Sequence, residues 1–229
     1  MGPARRLDSK VATGKGDDGT TGLLYGGDRI FKDDLRTEAY GTIDEAVAAL
    51  GHARAELGIK AQYGVLNPGL AGLSDLILRF QRELFVVGAE LATNPTAWDR
   101  LVDGQTRVSG EMVEGVESVL HDLENHIVMP REFVVPGETL PSAALEQART
   151  ILRRAERRTV TLQRAGLVPG PFLLPYLNRL ADLLWVLSRV AEQAEARSAT
   201  PSRAGGRPRP VRPGGSSSDS GALRRSERA

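Results

Sequence analysis

Three arginines fall four residues apart in the segment ARTILRRAERR: Arg149, Arg153 and Arg157. On an α-helix this spacing puts them on one face, where like charges cost a few tenths of a kcal/mol per pair unless anions compensate them. The row calls for acidic helices opposite or for a polyphosphate, which a planar, permanently charged guanidinium binds well. A solvated face laced with surface ion pairs has the same composition. Far upstream, Thr13-Gly14-Lys15-Gly16-Asp17-Asp18-Gly19-Thr20-Thr21-Gly22 packs four glycines, three threonines and a lysine into ten residues. Glycines let backbone N–H groups turn toward an anion, hydroxyls and the ammonium add donors, and aspartates can hold a phosphate-bound Mg²⁺. This is no Walker A loop, since no Gly-Lys-Ser/Thr closes it, and a flexible N-terminal segment reads the same way in isolation. Lys32 is a second basic residue close by. Two smaller groups complete the set. Asn178, Asp182, Trp185 and Arg189 share a helix face opposite a leucine stripe, and Asp44-Glu45 flank the buried seam of an earlier helix, where a carboxylate seeks a cation.

The elements that must position these residues are helical. Apolar residues recur at alternating steps of three and four in five segments, the pattern of a helix with one buried stripe. The stripes are Tyr40, Ile43, Val47 and Leu50; Leu73, Ile77, Phe80, Leu84, Val87 and Leu91; Met112, Val116, Val119, Leu123 and Ile127; Leu145, Ala148, Leu152, Ala155 and Leu162; and Leu177, Leu180, Leu184 and Leu187. Connections rich in Gly, Pro and Asn at 58–68, 94–109 and 135–141 separate them. The expected fold is all-α, a five-helix bundle of up-down, ferritin-like arrangement, with function at its ends and in its loops. Residues 1–37 form a glycine-rich N-terminal segment, 38–196 the bundle, and 197–229 a Pro/Gly/Ser/Arg tail with too little apolar surface to fold.

Composition narrows the chemistry. The absence of cysteine excludes disulfides, thiolate metal sites and a cysteine nucleophile. His52, His121 and His126 show no paired metal-ligand spacing. No run of about eighteen apolar residues and no secretory leader are visible, so a soluble cytoplasmic protein is expected. The tail holds eight arginines against Asp219 and Glu227, a net +6 that leaves −5 on residues 1–196. An acidic body that binds an anionic nucleotide must concentrate its positive charge locally. The basic tail is read as a solvated extension rather than a nucleic-acid site.

Four of these segments together resemble the PduO-type corrinoid adenosyltransferases, which share a TKTGD-G-TT-L loop, an EAYGT-DEL helix start, an RRAER helix and an LNRLSD helix. Here they read TGKGDDGTTGL, EAYGTIDEA, RRAERR and YLNRLADLLW, in the same order, within a span from Lys10 to about Ala196. The resemblance implies a homotrimer of five-helix bundles that binds ATP and cobalamin between adjacent subunits with Mg²⁺ assisting. Cob(I)alamin attacks C5′ of ATP, adenosylcobalamin forms and triphosphate leaves. The family's ATP contacts fall on Thr13, Gly14, Lys15, Gly16, Thr21, Gly22, Lys32, Arg153, Arg154, Ala155, Glu156, Arg157 and Asn178. Its intersubunit aspartate–arginine pair falls on Asp44 and Arg149. The aromatic residue that crowds out the lower axial ligand of cobalt falls on Phe133. A reductase that supplies Co(I) and an adenosylcobalamin-dependent enzyme such as a mutase are the implied partners. One departure is evident: the loop lysine, Lys15, stands one position later than in the family pattern.

Overall fold

The α-helical period predicted from the apolar stripes is realised in a computed structural model that describes residues 9–203. Helix α1 spans Leu35–Gln62, α2 Leu73–Ala92, α3 Gly110–Glu124, α4 Leu140–Arg164 and α5 Leu173–Ala194. Three of the five starts carry a side-chain cap. Asp34 accepts a hydrogen bond from the Arg36 amide to cap α1, and Ser109 accepts from Met112 to cap α3. Thr139 and Ser142 form a reciprocal capping box at α4, where Pro141 gives up no needed donor. Such caps each contribute about 1 kcal/mol.

Helix α1 packs against α2 and α4, α4 packs against α5, and α5 against α3. The seam of α1 is unusually small in volume, with Ala39, Ala46 and Ala53 alternating with Ile43, Leu50 and Leu57, all buried. Small residues let the α1 and α4 backbones approach closely, and Ala148 and Ala155 answer them from α4. Helix α5 lies between α3 and α4, which buries it on nearly all sides. That placement corrects one expectation. Arg189, expected on a polar face with Asn178, Asp182 and Trp185, is 0% exposed, because α4 covers the side of α5 where it emerges.

Two helix ends also differ from expectation. Helix α1 continues through Gly58, expected in a connection, to Gln62. An exposed helical glycine costs about 1 kcal/mol, offset here by buried Leu57 and by the Lys60–Glu195 ion pair at 3.0 Å. Helix α3 stops at Glu124, so Ile127 lies beyond it rather than on its stripe. The connections carry four short strands. Strand β1 (Thr20–Thr21) pairs antiparallel with β2 (Ile30–Phe31), and β3 (Val134–Val135) with β4 (Thr200–Pro201). Strand β4 falls inside the segment assigned to the tail, so ordered chain runs past residue 197; the remainder of that segment, 204–229, lies outside the described residues.

Glu90, at the end of α2, is 0% exposed and accepts a 2.7 Å hydrogen bond from the Val108 amide. Burial pushes its carboxyl up to about 7. The folded state then holds this proton more tightly than the unfolded chain, so folding stability falls as pH rises from the ordinary carboxylate range through 7. Urea melts at pH 5 and pH 8 should show the native chain losing about 2 kcal/mol more over that interval than a Glu90→Gln variant. Equal slopes would mean that Glu90 is not buried in the neutral form.

Candidate active site

The glycine-rich loop is a pair of successive turns. The Asp17 amide donates to the Gly14 carbonyl (3.3 Å) and the Gly19 amide to the Gly16 carbonyl (3.2 Å). Gly14 and Gly19 take φ values of +68° and +82°, which side-chain-bearing residues rarely adopt. Arg29 stitches the loop to the β1–β2 hairpin, donating to the Thr20 hydroxyl (2.7 Å) and to the Lys15 carbonyl (2.7 Å). The Asp18 carboxylate accepts from the Thr20 amide (2.9 Å) and hydroxyl (2.8 Å). These bonds hold its pKa below the usual carboxylate range. The displaced lysine acquires a structural reading. Lys15 is exposed, whereas the Lys32 ammonium lies 2.9 Å from where a Cβ on Gly16 would stand. Lys32, not Lys15, therefore lies over the loop backbone at Gly16, where a Cβ would push the flexible end of its side chain aside.

This segment is moored to the bundle. The Leu24 amide donates to the Ala92 carbonyl (2.9 Å), and Asn94 returns a bond from its own amide to the Leu24 carbonyl (3.3 Å). Asn94 Nδ2 also donates to the Gly26 carbonyl (3.0 Å). Gly27 sits at φ +90°, and a Cβ there would lie 2.0 Å from Asn94 Nδ2. The Arg100 guanidinium covers the Tyr25 ring at 4.2 Å, an exposed-site cation–π contact worth about 0.5–1 kcal/mol.

On α4 the structure sorts the arginines into two rows. Arg154 pairs with Glu45, and Arg158 with Glu38 at 2.7 Å, so one row ties α4 to α1. Arg153 and Arg157, the expected ridge, are exposed and have no carboxylate partner among the described residues. Arg149, the third member, is held by Glu146 (Nε to Oε2, 2.6 Å). Ala155, expected among the ATP contacts, is 0% exposed, packed in the core beneath the arginines. Glu156 faces α5 and accepts from Asn178 Nδ2 (3.2 Å), while Arg179 donates to Asn178 Oδ1 (2.9 Å). The Asn178 amide is thus oriented from both ends.

Beside this row opens a cleft of about 500 Å³ lined by Pro130, Phe133, Val134, Glu146, Arg149 and Trp185, among others. Phe133 is 88% exposed rather than tucked into the bundle end. Its loop is pinned by β4 and by the Ser202 amide donating to the Phe133 carbonyl at 2.7 Å. Residues missed in sequence line or underlie this cleft: Glu146, with buried Ser188 and Glu192 behind it next to Arg189, which was singled out for another role. The i, i+3 spacing of Glu146 and Arg149 was a visible signal; the contribution of Arg189 was hidden by its placement on a presumed polar face.

Asp44 is exposed on α1, at a separate apolar groove formed with Leu24, Tyr40, Val47 and Phe85. Among the described residues no hydrogen bond or ion pair joins Asp44 to Arg149, or the N-terminal loop to the arginines of α4. One chain therefore presents the expected site in two separate parts.

The chain matches the family model for cobalamin adenosyltransferase over residues 11–191. It belongs to that family. As an adenosyltransferase it moves an adenosyl group from ATP to cobalamin, and its relatives carry the same description. It is 37% identical over 183 residues to a corrinoid adenosyltransferase of Citrobacter freundii, covering 80% of this chain and 95% of the relative. It is 36% identical over 181 residues to one of Bacillus subtilis, covering 79% and 86%. Its fold superposes, with a TM-score of 0.72 and 28% identity, on a variant of the PduO-type ATP:corrinoid adenosyltransferase of Lactobacillus reuteri complexed with cobalamin and ATP. That match covers 85% of this adenosyltransferase and all of the other chain. Among the described residues no helix is long and apolar enough to cross a membrane.

Proposed function

We propose that the chain transfers the 5′-deoxyadenosyl group of ATP to the cobalt of cob(I)alamin in a site completed by a second copy of itself. The observation that carries this reading is the sorting on α4. Arg154 and Arg158 are neutralised by α1, while Arg153 and Arg157 are exposed and hold no carboxylate among the described residues, in a row whose third member, Arg149, lines the Phe133 cleft. Such a pair suits a triphosphate. The loop from Thr13 to Gly22 and Lys32 approach the same phosphates from a neighbouring subunit, and Asp44 of one subunit meets Arg149 of the next. A homotrimer satisfies these pairings around one axis. Residues 1–37 act as the nucleotide flap and 38–196 as the bundle that carries it, in a cytoplasmic enzyme.

The electron pair of Co(I) forms the bond to C5′ while the C5′–O bond breaks and its electrons leave with triphosphate. No proton moves at the reacting carbon, so no general base is needed. The protein contributes by fixing cations where negative charge develops. Among the described residues no cluster of three acidic or histidine side chains could hold a metal, and the Asp18 carboxylate is engaged by Thr20. Mg²⁺ therefore fits as an ion carried by the phosphates, with Asp17 as the loop's other carboxylate, and it would supply charge neutralisation of the triphosphate. Co(I) comes from a reductase, and the product serves an adenosylcobalamin-dependent enzyme such as a mutase.

Purified protein given ATP, Mg²⁺ and chemically reduced cobalamin under strict anaerobiosis should form a cobalt–carbon bond, seen as a spectral change. ATP binding without that product would turn the chain into a carrier or sensor and sink the enzyme reading.

A further inference from the structure

The buried charges behind the cleft are unused by the chemistry above. Glu146 is 3% exposed, Arg189 0% and Glu192 1%. Glu146 Oε1 accepts from Ser188 Oγ at 3.2 Å and from Arg189 Nη2 at 3.3 Å. Arg189 Nη2 also donates to Glu192 Oε1 at 2.9 Å, and its guanidinium lies 5.5 Å from the centre of the Trp185 ring. The other oxygen of Glu146 reaches outward, to Arg149 Nε at 2.6 Å. Glu146 hydrogen-bonds both to the buried Arg189 and to Arg149, a side chain of the cleft.

A carboxylate anchored in this way cannot follow a moving arginine. Arg189 and Ser188 fix one oxygen from α5, the helix fixes its backbone, and the second oxygen grips Arg149 one turn along α4. Because the grip is on Nε, the two terminal nitrogens of Arg149 remain without a protein partner among the described residues, on a guanidinium whose plane is set from behind. Arg149 and Trp185 both line this cleft and the adjacent one bounded by Leu120, Asp182 and Val186. Resting on the reading of Arg149 as the cation that meets Asp44 of a neighbouring copy, we propose that Glu146 is a positioning residue. Its carboxylate, braced by Arg189 and Ser188, presents the outer edge of Arg149 to the carboxylate across the subunit boundary.

The alternative is that Glu146 merely neutralises buried Arg189. The two differ in how Glu146 couples to Arg149, which a double-mutant cycle reads directly. Glu146→Gln should lower kcat about tenfold or more, with KM for ATP within about twofold, as expected when a preset group loses its orientation. In an Arg149→Ala background the same change should alter kcat by less than about twofold. An equal fold-loss in both backgrounds overturns the proposal, as does native turnover in Glu146→Gln. The same cycle, read on the concentration at which the assembly dissociates in sedimentation, covers turnover too slow to measure, and additive effects there overturn the proposal equally. If Glu146→Gln does not fold, Arg149→Lys decides: it keeps the charge but loses the Nε that Glu146 grips, and should lose about as much kcat, about tenfold. Turnover of Arg149→Lys within about twofold of native removes the need for positioning. A native protein that neither assembles nor transfers adenosyl would instead refute the underlying reading of function.

Discussion

Arg153→Ala should lose about 10²–10³-fold in adenosyl transfer while keeping its fold and assembly, the range seen when one preset donor is removed from a developing negative charge. The expectation rests on the contrast within α4. Arg154 and Arg158 are bound to Glu45 and Glu38, so truncating either removes an ion pair between helices. Such exposed pairs are worth only about 0–1 kcal/mol each. Arg153 is exposed and holds no carboxylate among the described residues, so its removal should change stability by no more than about 0.5 kcal/mol. A side chain that costs nothing to the fold but most of the rate is one reserved for a ligand. Single-turnover spectroscopy and thermal melts on the same preparation test both halves, and full activity in this variant would take the α4 ridge out of the mechanism.

Phe133→Ala should lose more activity when the assay starts from Co(II) than when it starts from preformed Co(I). The phenyl ring is 88% exposed at the mouth of the cleft, on a loop held by β4 and by the Ser202 amide. A large apolar group held at the surface by a pinned backbone is placed to be covered by a flat apolar partner. In the role that the family resemblance implies, a wedge against the lower face of the corrin, it would exclude water and the axial ligand from cobalt and so ease the reduction of Co(II). Covering such a side chain is worth roughly 3 kcal/mol, or about 10²-fold in rate if the wedge is used in the slow step. The loss should therefore be about 10²-fold from Co(II) with a reductant, and about tenfold or less from preformed Co(I). Equal losses from both starting states would mean that Phe133 acts only in binding.

Much of the scaffold was legible in the chain because it depends on period alone. The stripes of α2, α4 and α5 predicted in sequence, among them Ile77, Phe80, Leu84, Leu152 and Leu184, are the buried core. Boundaries were less legible. The exposed Gly58 was a reasonable place to end α1, and only the distant Glu195, paired with Lys60, shows why the helix continues. Residues 200–201 have the composition of a solvated tail, yet they find a strand partner in Val134 and Val135, far away in sequence.

The sequence by itself determined the helical class, the four ordered motifs and the residue types of the site: a glycine-rich loop, a row of arginines, an amide and an aromatic. These are local properties, set by spacing and side-chain chemistry. Only the tertiary structure decided which arginines are available. Charges one residue apart on α4 differ by about 100° in direction, so Arg154 and Arg158 meet the acids of α1 while Arg153 and Arg157 do not. It also decided that Lys32 lies over the loop in place of Lys15, and that Arg189 is buried to brace Glu146. Each of these depends on which helix or strand lies opposite, a fact that no local spacing contains.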